Sequence, residues 1–197
     1  MSELITVNKT IKLTKAAICG RARAGKDEVA NQLRFKHGFR ALAFATKLKD
    51  LAHRAFPHID PSQKPRKLYQ DFGEALCAID PQVWIRHVDD DIASYIRFIA
   101  NSSESEANIV VTDLRKPVEY DWLRAQGFTI IRVSAPEELR LKRAKLAREI
   151  FEPVDLSHDT ESYVDGFEVD YELVNDGTLD EFYAKVDTIM GEIKTEG

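Results

Sequence analysis

The strongest signal in this sequence is the stretch Ile18-Cys19-Gly20-Arg21-Ala22-Arg23-Ala24-Gly25-Lys26-Asp27. It contains the pattern G-x-x-x-x-G-K, whose two glycines let the backbone curl tightly and approach a polyphosphate. The curl turns successive backbone N–H groups inward, and the helix that follows directs its positive dipole end to the same place. Lys26 can then reach the outer phosphates as a point charge. We therefore predict a nucleotide phosphate site here, in preference to an ordinary glycine turn.

The residues around this pattern supply the setting that it requires. An apolar run at residues 16–19 is typical of a buried strand, and apolar residues recur at helical spacing over 29–33. One position departs from the usual motif, because Asp27 stands where Ser or Thr normally offers a hydroxyl to Mg²⁺. We interpret Asp27 as part of a magnesium shell, directly or through water. The alternative is a first-turn acid that only complements the helix dipole.

Length and composition indicate one ordinary globular domain spanning residues 1–197. No apolar run approaches 18 residues and the first residues lack the apolar centre of a secretory signal, so we expect no membrane association. The two cysteines, Cys19 and Cys77, suit reduced thiols and a cytoplasmic protein. Surface aromatics such as Tyr120 and Trp122 leave a homodimer open.

Charge is distributed unevenly along the chain. Residues 1–149 contain 26 Lys and Arg against 19 Asp and Glu, whereas residues 150–197 contain 2 against 14. The basic part includes the glycine loop and can face anionic ligands, while the acidic end argues against a protein that wraps nucleic acid. We therefore expect small anionic partners and no nucleic acid.

Five short apolar runs, separated by helical patterns, predict the buried parallel strands of an α/β sheet that helices cover on both faces. The runs are residues 16–19, 41–45, 109–112, 128–133 and 171–174. Three helical patterns precede the third strand, where a simple crossover needs only one. These extra helices predict a small module above the carboxyl edge of the sheet, where ligands bind in such folds. The polar residues 101–108 are predicted to form a loop.

Three residues follow the third predicted strand closely enough to share a site. Asp113, at the end of a buried strand beside a phosphate loop, is well placed to hold a Mg²⁺ shell; the alternative is an Asp that caps the next turn. Arg115 could clamp a phosphate with two parallel hydrogen bonds. Glu119 could accept hydrogen bonds from a base or ribose, or it could form a local salt bridge.

The inserted helices offer residues for a second ligand. Lys47, Arg66 and Arg86 could grip the phosphate of an acceptor, with Arg66, next to a proline-rich loop, as the first choice, although single basic side chains are more often solvated. Trp84 could stack on a base or pack in the core.

Five basic residues crowd the segment 140–148, just before an acidic segment at 150–168 that lacks a clean period. Phosphoryl transfer spreads negative charge that closing arginines can neutralise, and Arg143 and Arg148 are the candidates. A solvated basic helix face would contain the same residues. The acidic segment suits either a mobile flap or a plain surface loop.

Together these features resemble the nucleoside monophosphate kinase group of P-loop kinases, and most of all the phage-type deoxynucleoside monophosphate kinases. The resemblance spans residues 15–190 and rests on several motifs in a fixed order. The motifs are Gly25-Lys26-Asp27, Phe44-Ala45-Thr46-Lys47-Leu48-Lys49, Asp80-Pro81-Gln82-Val83-Trp84, Thr112-Asp113-Leu114-Arg115 with Glu119, Gly127-Phe128 through Arg132-Val133, and Asn175-Asp176-Gly177-Thr178-Leu179.

The resemblance implies a three-layer P-loop NTPase fold with a five-stranded parallel sheet, a helical acceptor-binding insertion at 46–100 and a lid at about 140–168. It implies ATP and Mg²⁺ as cofactors and in-line transfer of the γ-phosphoryl group to a (deoxy)nucleoside 5′-monophosphate. The ATP-binding residues would be Gly20, Arg21, Ala22, Arg23, Ala24, Gly25, Lys26, Asp27, Glu28, Asn175 and Gly177. The acceptor-binding residues would be Lys47, Arg66, Trp84, Arg115 and Glu119. The catalytic residues would be Lys26, Asp113, Arg143 and Arg148, with Asp27 and Asp113 at the metal.

Other interpretations of the same residues stay open. The acceptor could be dephospho-coenzyme A, phosphomevalonate or a hydroxymethylated base within DNA, and the last would require a basic groove and a steep salt dependence. A non-catalytic ATP-binding regulator is a further alternative, because the usual hydroxyl at position 27 is missing. The sequence does not decide the preferred base or the sugar.

Overall fold

The protein is described by a computed structural model that covers residues 9–63, 65–146 and 159–196. The strands are β1 (Lys12–Cys19), β2 (Arg40–Leu42), β3 (Glu106–Val111), β4 (Thr129–Ser134) and β5 (Tyr171–Val174). They form one parallel sheet in the order β2-β3-β1-β4-β5. The α/β class and the five parallel strands expected from the sequence are therefore confirmed.

Helices cover both faces of this sheet. They are α1 (Lys26–Phe35), α2 (Phe44–Ala55), α3 (Arg66–Ile79), α4 (Val83–Ala100), α5 (Pro117–Ala125), α6 (Glu137–Leu146), α7 (Asp159–Gly166) and α8 (Leu179–Glu196). None of the described helices is long and apolar enough to cross a bilayer.

The central strand β1 is buried on both faces, because successive side chains point to opposite sides of the sheet. Ile18 belongs to the apolar layer beneath α1 and α8, whereas Ala17 belongs to the layer beneath α2, α4 and α5. Leu33 of α1 and Phe182 of α8 are 0% and 1% exposed. Burial of each such side chain contributes about 2 kcal/mol, so these two layers fix α1 and the loop before it against the sheet.

Three boundaries differ from the sequence predictions. Residues 44–45 were predicted to end a strand but begin α2, because the Asp113 carboxylate accepts hydrogen bonds from the backbone N–H groups of Phe44 and Ala45. Residues 106–108 were predicted to be a loop but extend β3, since they pair with Lys12–Thr14 of a strand that itself starts earlier than expected. The aperiodic segment 150–168 contains α7 within its described part.

The helices α2, α3 and α4 form the extra module between β2 and β3. Gly73 permits α3 to lie close to α2, because a Cβ at this position would meet Leu48 Cδ1 at 2.7 Å. Trp84 and Val88 anchor α4 in the apolar layer of the sheet. The module therefore begins beside the carboxyl edge of the sheet, near Asp113, and α4 leads back to the start of β3.

Candidate active site

The loop between β1 and α1 has a backbone that other sequences would not readily adopt. Its φ angles are +138° at Gly20, +61° at Arg23 and +112° at Gly25. A Cβ at Gly20 would lie 2.1 Å from the carbonyl oxygen of Val133, and one at Gly25 would lie 2.2 Å from the Asn175 side-chain nitrogen. Both glycines are therefore required by space as well as by conformation.

Lys26 begins α1 and folds back over this loop. Its ammonium group donates hydrogen bonds to the carbonyl oxygens of Gly20, at 2.6 Å, and Arg21, at 2.9 Å. Asp27 is exposed in the first turn of α1, whereas Glu28 accepts a 2.6 Å hydrogen bond from the Tyr183 hydroxyl of α8. The lysine therefore lies at the loop, while Glu28 is held to a neighbouring helix.

Asn175 follows β5 and lies buried behind the loop, 5% exposed. Its side-chain nitrogen donates to the carbonyl oxygen of Ala24 at 2.9 Å, and its side-chain oxygen accepts from Arg143 at 3.0 Å. Arg143 also donates to the carbonyl oxygen of Arg23 at 3.3 Å. The predicted lid arginine is thus hydrogen-bonded to the loop backbone and to Asn175.

Arg140 lies one turn before Arg143 on α6 and is 8% exposed. It donates to the carbonyl oxygen of Ala22 at 3.4 Å. Three consecutive loop carbonyls therefore receive hydrogen bonds from one cluster of side chains. We call this cluster, Arg140, Arg143 and Asn175, the loop brace. Arg148 lies outside the described residues.

A cavity of about 230 Å³ lies between the loop, the end of β4 and α7. Arg21 bridges its edge, with Nε donating to the two carboxylate oxygens of Asp165 at 3.2 and 3.1 Å. These hydrogen bonds lower the pKa of Asp165. Arg132 of β4 holds α7 beside the cavity by donating to the carbonyl oxygen of Val164 at 3.1 Å. The described end of the predicted lid is therefore anchored to the sheet.

Asp113 follows β3, the neighbour of β1. Each of its carboxylate oxygens accepts a 2.9 Å hydrogen bond, one from Phe44 N–H and the other from Ala45 N–H. Burial raises the pKa of Asp113 despite these two hydrogen bonds and the nearby charge of Arg115. The carboxylate therefore caps the N-terminus of α2, a helix distant in the sequence, and not the turn that follows Asp113. Its role at a metal stays a prediction.

Glu119 is buried, 7% exposed, in the first turn of α5. Its Oε2 accepts hydrogen bonds from the N–H groups of Arg115, at 3.0 Å, and Lys116, at 2.9 Å. Burial raises the pKa of Glu119 from 4.5 to about 7, although these hydrogen bonds oppose the shift. The Arg115 guanidinium is exposed and makes no hydrogen bond or ion pair with the rest of the described chain.

The other predicted acceptor residues lie on the inserted helices. Lys47 of α2 forms an exposed ion pair with Asp50 at 3.8 Å, and Arg66 is the exposed first residue of α3. Trp84 is only 5% exposed and packs in the apolar core, so it offers a base almost no free ring face. Gly177 lies in the turn before α8, where its role near adenine stays a prediction.

Arg132, Arg140 and Asp165 were missed by sequence reasoning. A single arginine within the apolar strand β4 is unusual, and it was the available signal for Arg132, which is half-buried. Arg140 was indistinguishable from its basic neighbours, because its loop contact joins residues 118 positions apart. Nothing local marks Asp165, whose partner lies 144 positions away.

A strand, a loop with the pattern G-x-x-x-x-G-K and a helix on a parallel sheet of this order define a P-loop fold, which P-loop kinases share. A family model described as deoxynucleotide monophosphate kinase matches residues 62–186, and the chain belongs to this family. The family suspected from the motifs is therefore confirmed. The matched residues begin after the glycine loop, so the loop is an independent observation.

Solved structures share the fold at low sequence identity. TT1252 from Thermus thermophilus is 18% identical with a TM-score of 0.51, over 94% of this chain and 98% of that chain. A dephospho-CoA kinase from Campylobacter jejuni is 14% identical with a TM-score of 0.50, over 92% and 97%. No curated protein sequence matches the chain.

Proposed function

We propose that this protein transfers the γ-phosphoryl group of ATP to a deoxynucleoside 5′-monophosphate. The observation that carries the proposal is the loop between β1 and α1. Its glycines leave no room for a side chain, and its lysine lies against the loop carbonyls. Such a loop suits a nucleotide polyphosphate, and membership of the deoxynucleotide monophosphate kinase family supports the choice of acceptor. The reduced thiols of Cys19 and Cys77 suit a cytoplasmic enzyme.

On the ATP side, the loop N–H groups and Lys26 would hold the phosphates. Lys26 would exchange its two carbonyl partners, Gly20 and Arg21, for phosphate oxygens. Arg21 lies at the rim of the adjoining cavity, where it would face the same charge. The reaction needs no covalent intermediate, because positioning and charge neutralisation supply most of the catalysis.

The acids Asp27 and Asp113 are the residues that would hold Mg²⁺. Asp27 is exposed beside Lys26. Each Asp113 oxygen accepts one hydrogen bond from the described chain and has a second lone pair for a metal ion. Carboxylate oxygens are the ligands that Mg²⁺ prefers, so this donor set fits the ion. Bound Mg²⁺ supplies neutralisation of the β- and γ-phosphate charge.

On the acceptor side, Arg115 is our first choice for the monophosphate because its guanidinium is exposed beside Asp113. Lys47 and Arg66 would add charge from the inserted helices. Glu119 uses Oε2 for its backbone hydrogen bonds, so we assign Oε1 to the base or sugar. The acceptor phosphate would attack in line, with water excluded by closure.

The test is ADP release from Mg·ATP against dAMP, dCMP, dGMP, dTMP, their ribose forms and a modified pyrimidine monophosphate. We expect ADP release that depends on at least one deoxynucleoside monophosphate and is absent with ATP alone. Release with no member of this panel, from protein that still binds ATP, would contradict the proposal and favour another acceptor or a regulator.

A further inference from the structure

We infer that Arg140 and Asn175 are positioning residues, which act with Arg143 by holding the outward carbonyl groups of the glycine loop. This inference rests on the proposed function for its catalytic consequence. The bonds that carry it are those of the loop brace, which reach the carbonyls of Ala22, Arg23 and Ala24.

Because the peptide group is planar, a carbonyl group that is held in place also fixes the direction of the N–H group of the next residue. The C=O of one residue and the N–H of the next point in opposite directions across a trans peptide. The 2.9 Å hydrogen bond from Asn175 to the Ala24 carbonyl therefore also fixes the Gly25 N–H. In the same way, Arg140 at the Ala22 carbonyl fixes the direction of the Arg23 N–H. These amides therefore face away from the brace.

Asn175 is committed at both ends of its side-chain amide and is almost completely buried. Its nitrogen binds the loop and its oxygen binds Arg143, and the residue is 5% exposed. The absence of a side chain at Gly25 makes room for it, because a Cβ there would lie 2.2 Å from the Asn175 nitrogen. Asn175 and Gly25 therefore form one interlocked unit.

The charge of Arg140 reinforces the same peptide dipoles. A buried guanidinium is unfavourable unless it faces negative partners, and the described partners of Arg140 are the Ala22 carbonyl and the nearby charge of Asp165. A cation at the carbonyl end of a peptide favours an anion at its N–H end. Arg140 would thereby improve phosphate binding without touching the phosphate.

The first test compares Asn175→Ala and Arg140→Met with Lys142→Met, which removes an exposed charge from the same helix. The probe is inorganic tripolyphosphate, measured by calorimetry, together with kcat and KM for ATP and for the acceptor. We expect at least tenfold weaker tripolyphosphate binding and about tenfold lower kcat/KM for ATP in the two brace variants, with the acceptor KM unchanged. Arg140→Lys, which keeps the charge, should recover part of the loss.

The second test is a double-mutant cycle between Asn175→Ala and Arg143→Met. Residues that act through one shared brace give non-additive losses, so the double variant should lose no more than about the larger single loss. Additive losses would show that Arg143 acts on the phosphates separately and would overturn the inference. Brace variants that match Lys142→Met would overturn it as well.

The two proposals fail in distinguishable ways. A wild-type protein that binds tripolyphosphate but produces no acceptor-dependent ADP contradicts the proposed function, and the binding data then test the brace alone. An active wild type whose brace variants keep full tripolyphosphate affinity contradicts the brace alone. A wild type that binds no tripolyphosphate overturns both. Circular dichroism and thermal unfolding identify any variant that has failed to fold. Arg140→Lys then replaces Arg140→Met, and if Asn175→Ala is the one that fails, the comparison of Arg140→Met with Lys142→Met decides.

Discussion

The glycine-loop side and the inserted-helix side of this molecule use their charged side chains in opposite ways. Around the loop, Arg140 and Arg143 are buried or half-buried and bind backbone groups about 120 residues away. On the inserted helices, exposed pairs join close sequence neighbours, such as Lys47 with Asp50 and Arg86 with Asp80. Exposed pairs of this kind contribute little to stability, whereas buried guanidinium groups must be held in place.

This difference indicates that the two sides have different degrees of preorganisation. The loop side is built in advance, so a nucleotide would find its phosphate contacts already aimed. The inserted side holds exposed basic groups that an acceptor would organise on binding. Substitutions on the glycine-loop side should therefore change the stability of the protein and its use of ATP together. Those on the inserted-helix side should change only the binding of the acceptor.

The largest expected effect is on the loop side, at Lys26. Lys26→Ala should lower acceptor-dependent turnover at least a hundredfold, because the charge that faces the outer phosphates is removed while the fold is unchanged. Steady-state ADP release measures this loss, and circular dichroism checks the fold. Lys142→Ala, which removes an exposed lysine from α6, is the matched control. Near-normal turnover in Lys26→Ala would break the assignment of the loop.

A comparison of two glycines with left-handed backbones separates the cost of backbone strain from the cost of a steric clash. Gly25 and Gly38 have φ angles of +112° and +72°, but a Cβ at Gly38 would meet no atom within 4 Å. Gly38→Ala should cost about 1 kcal/mol of unfolding free energy, from backbone strain alone. Gly25→Ala should cost about 2.5 kcal/mol, because it also displaces Asn175. Equal losses in chemical denaturation would mean that the brace is not interlocked with the loop.

The buried Glu119 of α5 should make the stability of the protein depend on pH. Its pKa is raised to about 7, so between pH 4.5 and 7 the folded state keeps a proton that the unfolded state loses. The free energy of unfolding therefore falls as the pH rises through this window, by about 2 kcal/mol between pH 5 and pH 8.

Glu119→Gln should abolish this pH-dependent loss, since the amide stays neutral and its oxygen can still accept the backbone hydrogen bonds. Urea unfolding of both proteins at pH 5 and pH 8 gives the comparison. The same decrease in both proteins would exclude Glu119 as its source.

The smallest effect is expected on the acceptor side. Arg115→Ala should raise the acceptor KM about tenfold and leave the KM for ATP unchanged, since one charge-assisted contact is lost. Arg97→Ala serves as the control, because Arg97 is an exposed residue near the end of α4 whose guanidinium donates to the Ser94 hydroxyl of the same helix. A rise in the KM for ATP alone would place Arg115 on the nucleotide side and remove the proposed division.

The sequence predicted features that depend on neighbouring residues and missed those that depend on distant ones. The glycine loop and the five strands follow from local patterns of glycine and apolar residues. The start of α2 at Phe44 was missed because its cap, Asp113, lies 69 residues later. Two of the strand residues 106–108, Glu106 and Asn108, are polar, and their pairing with β1 shows that the segment extends the sheet.

The candidate site shows the same difference between features set by neighbouring residues and features set by distant ones. Lys26 could be placed at the loop from the motif, whereas Arg140 and Asp165 become visible only when α6 and α7 are packed beside the loop. Trp84 shows the converse limit, because its spacing suited both a base-stacking role and the core, and burial favours the core.

The most direct test of the central claim follows the phosphoryl group itself. The protein is incubated with ATP labelled at the γ-phosphate, Mg²⁺ and the deoxynucleoside monophosphate that releases most ADP, and the products are separated by chromatography. Our account predicts that the label appears in a deoxynucleoside diphosphate in amounts equal to the ADP formed. Label found as inorganic phosphate, or retained in ATP, would contradict it.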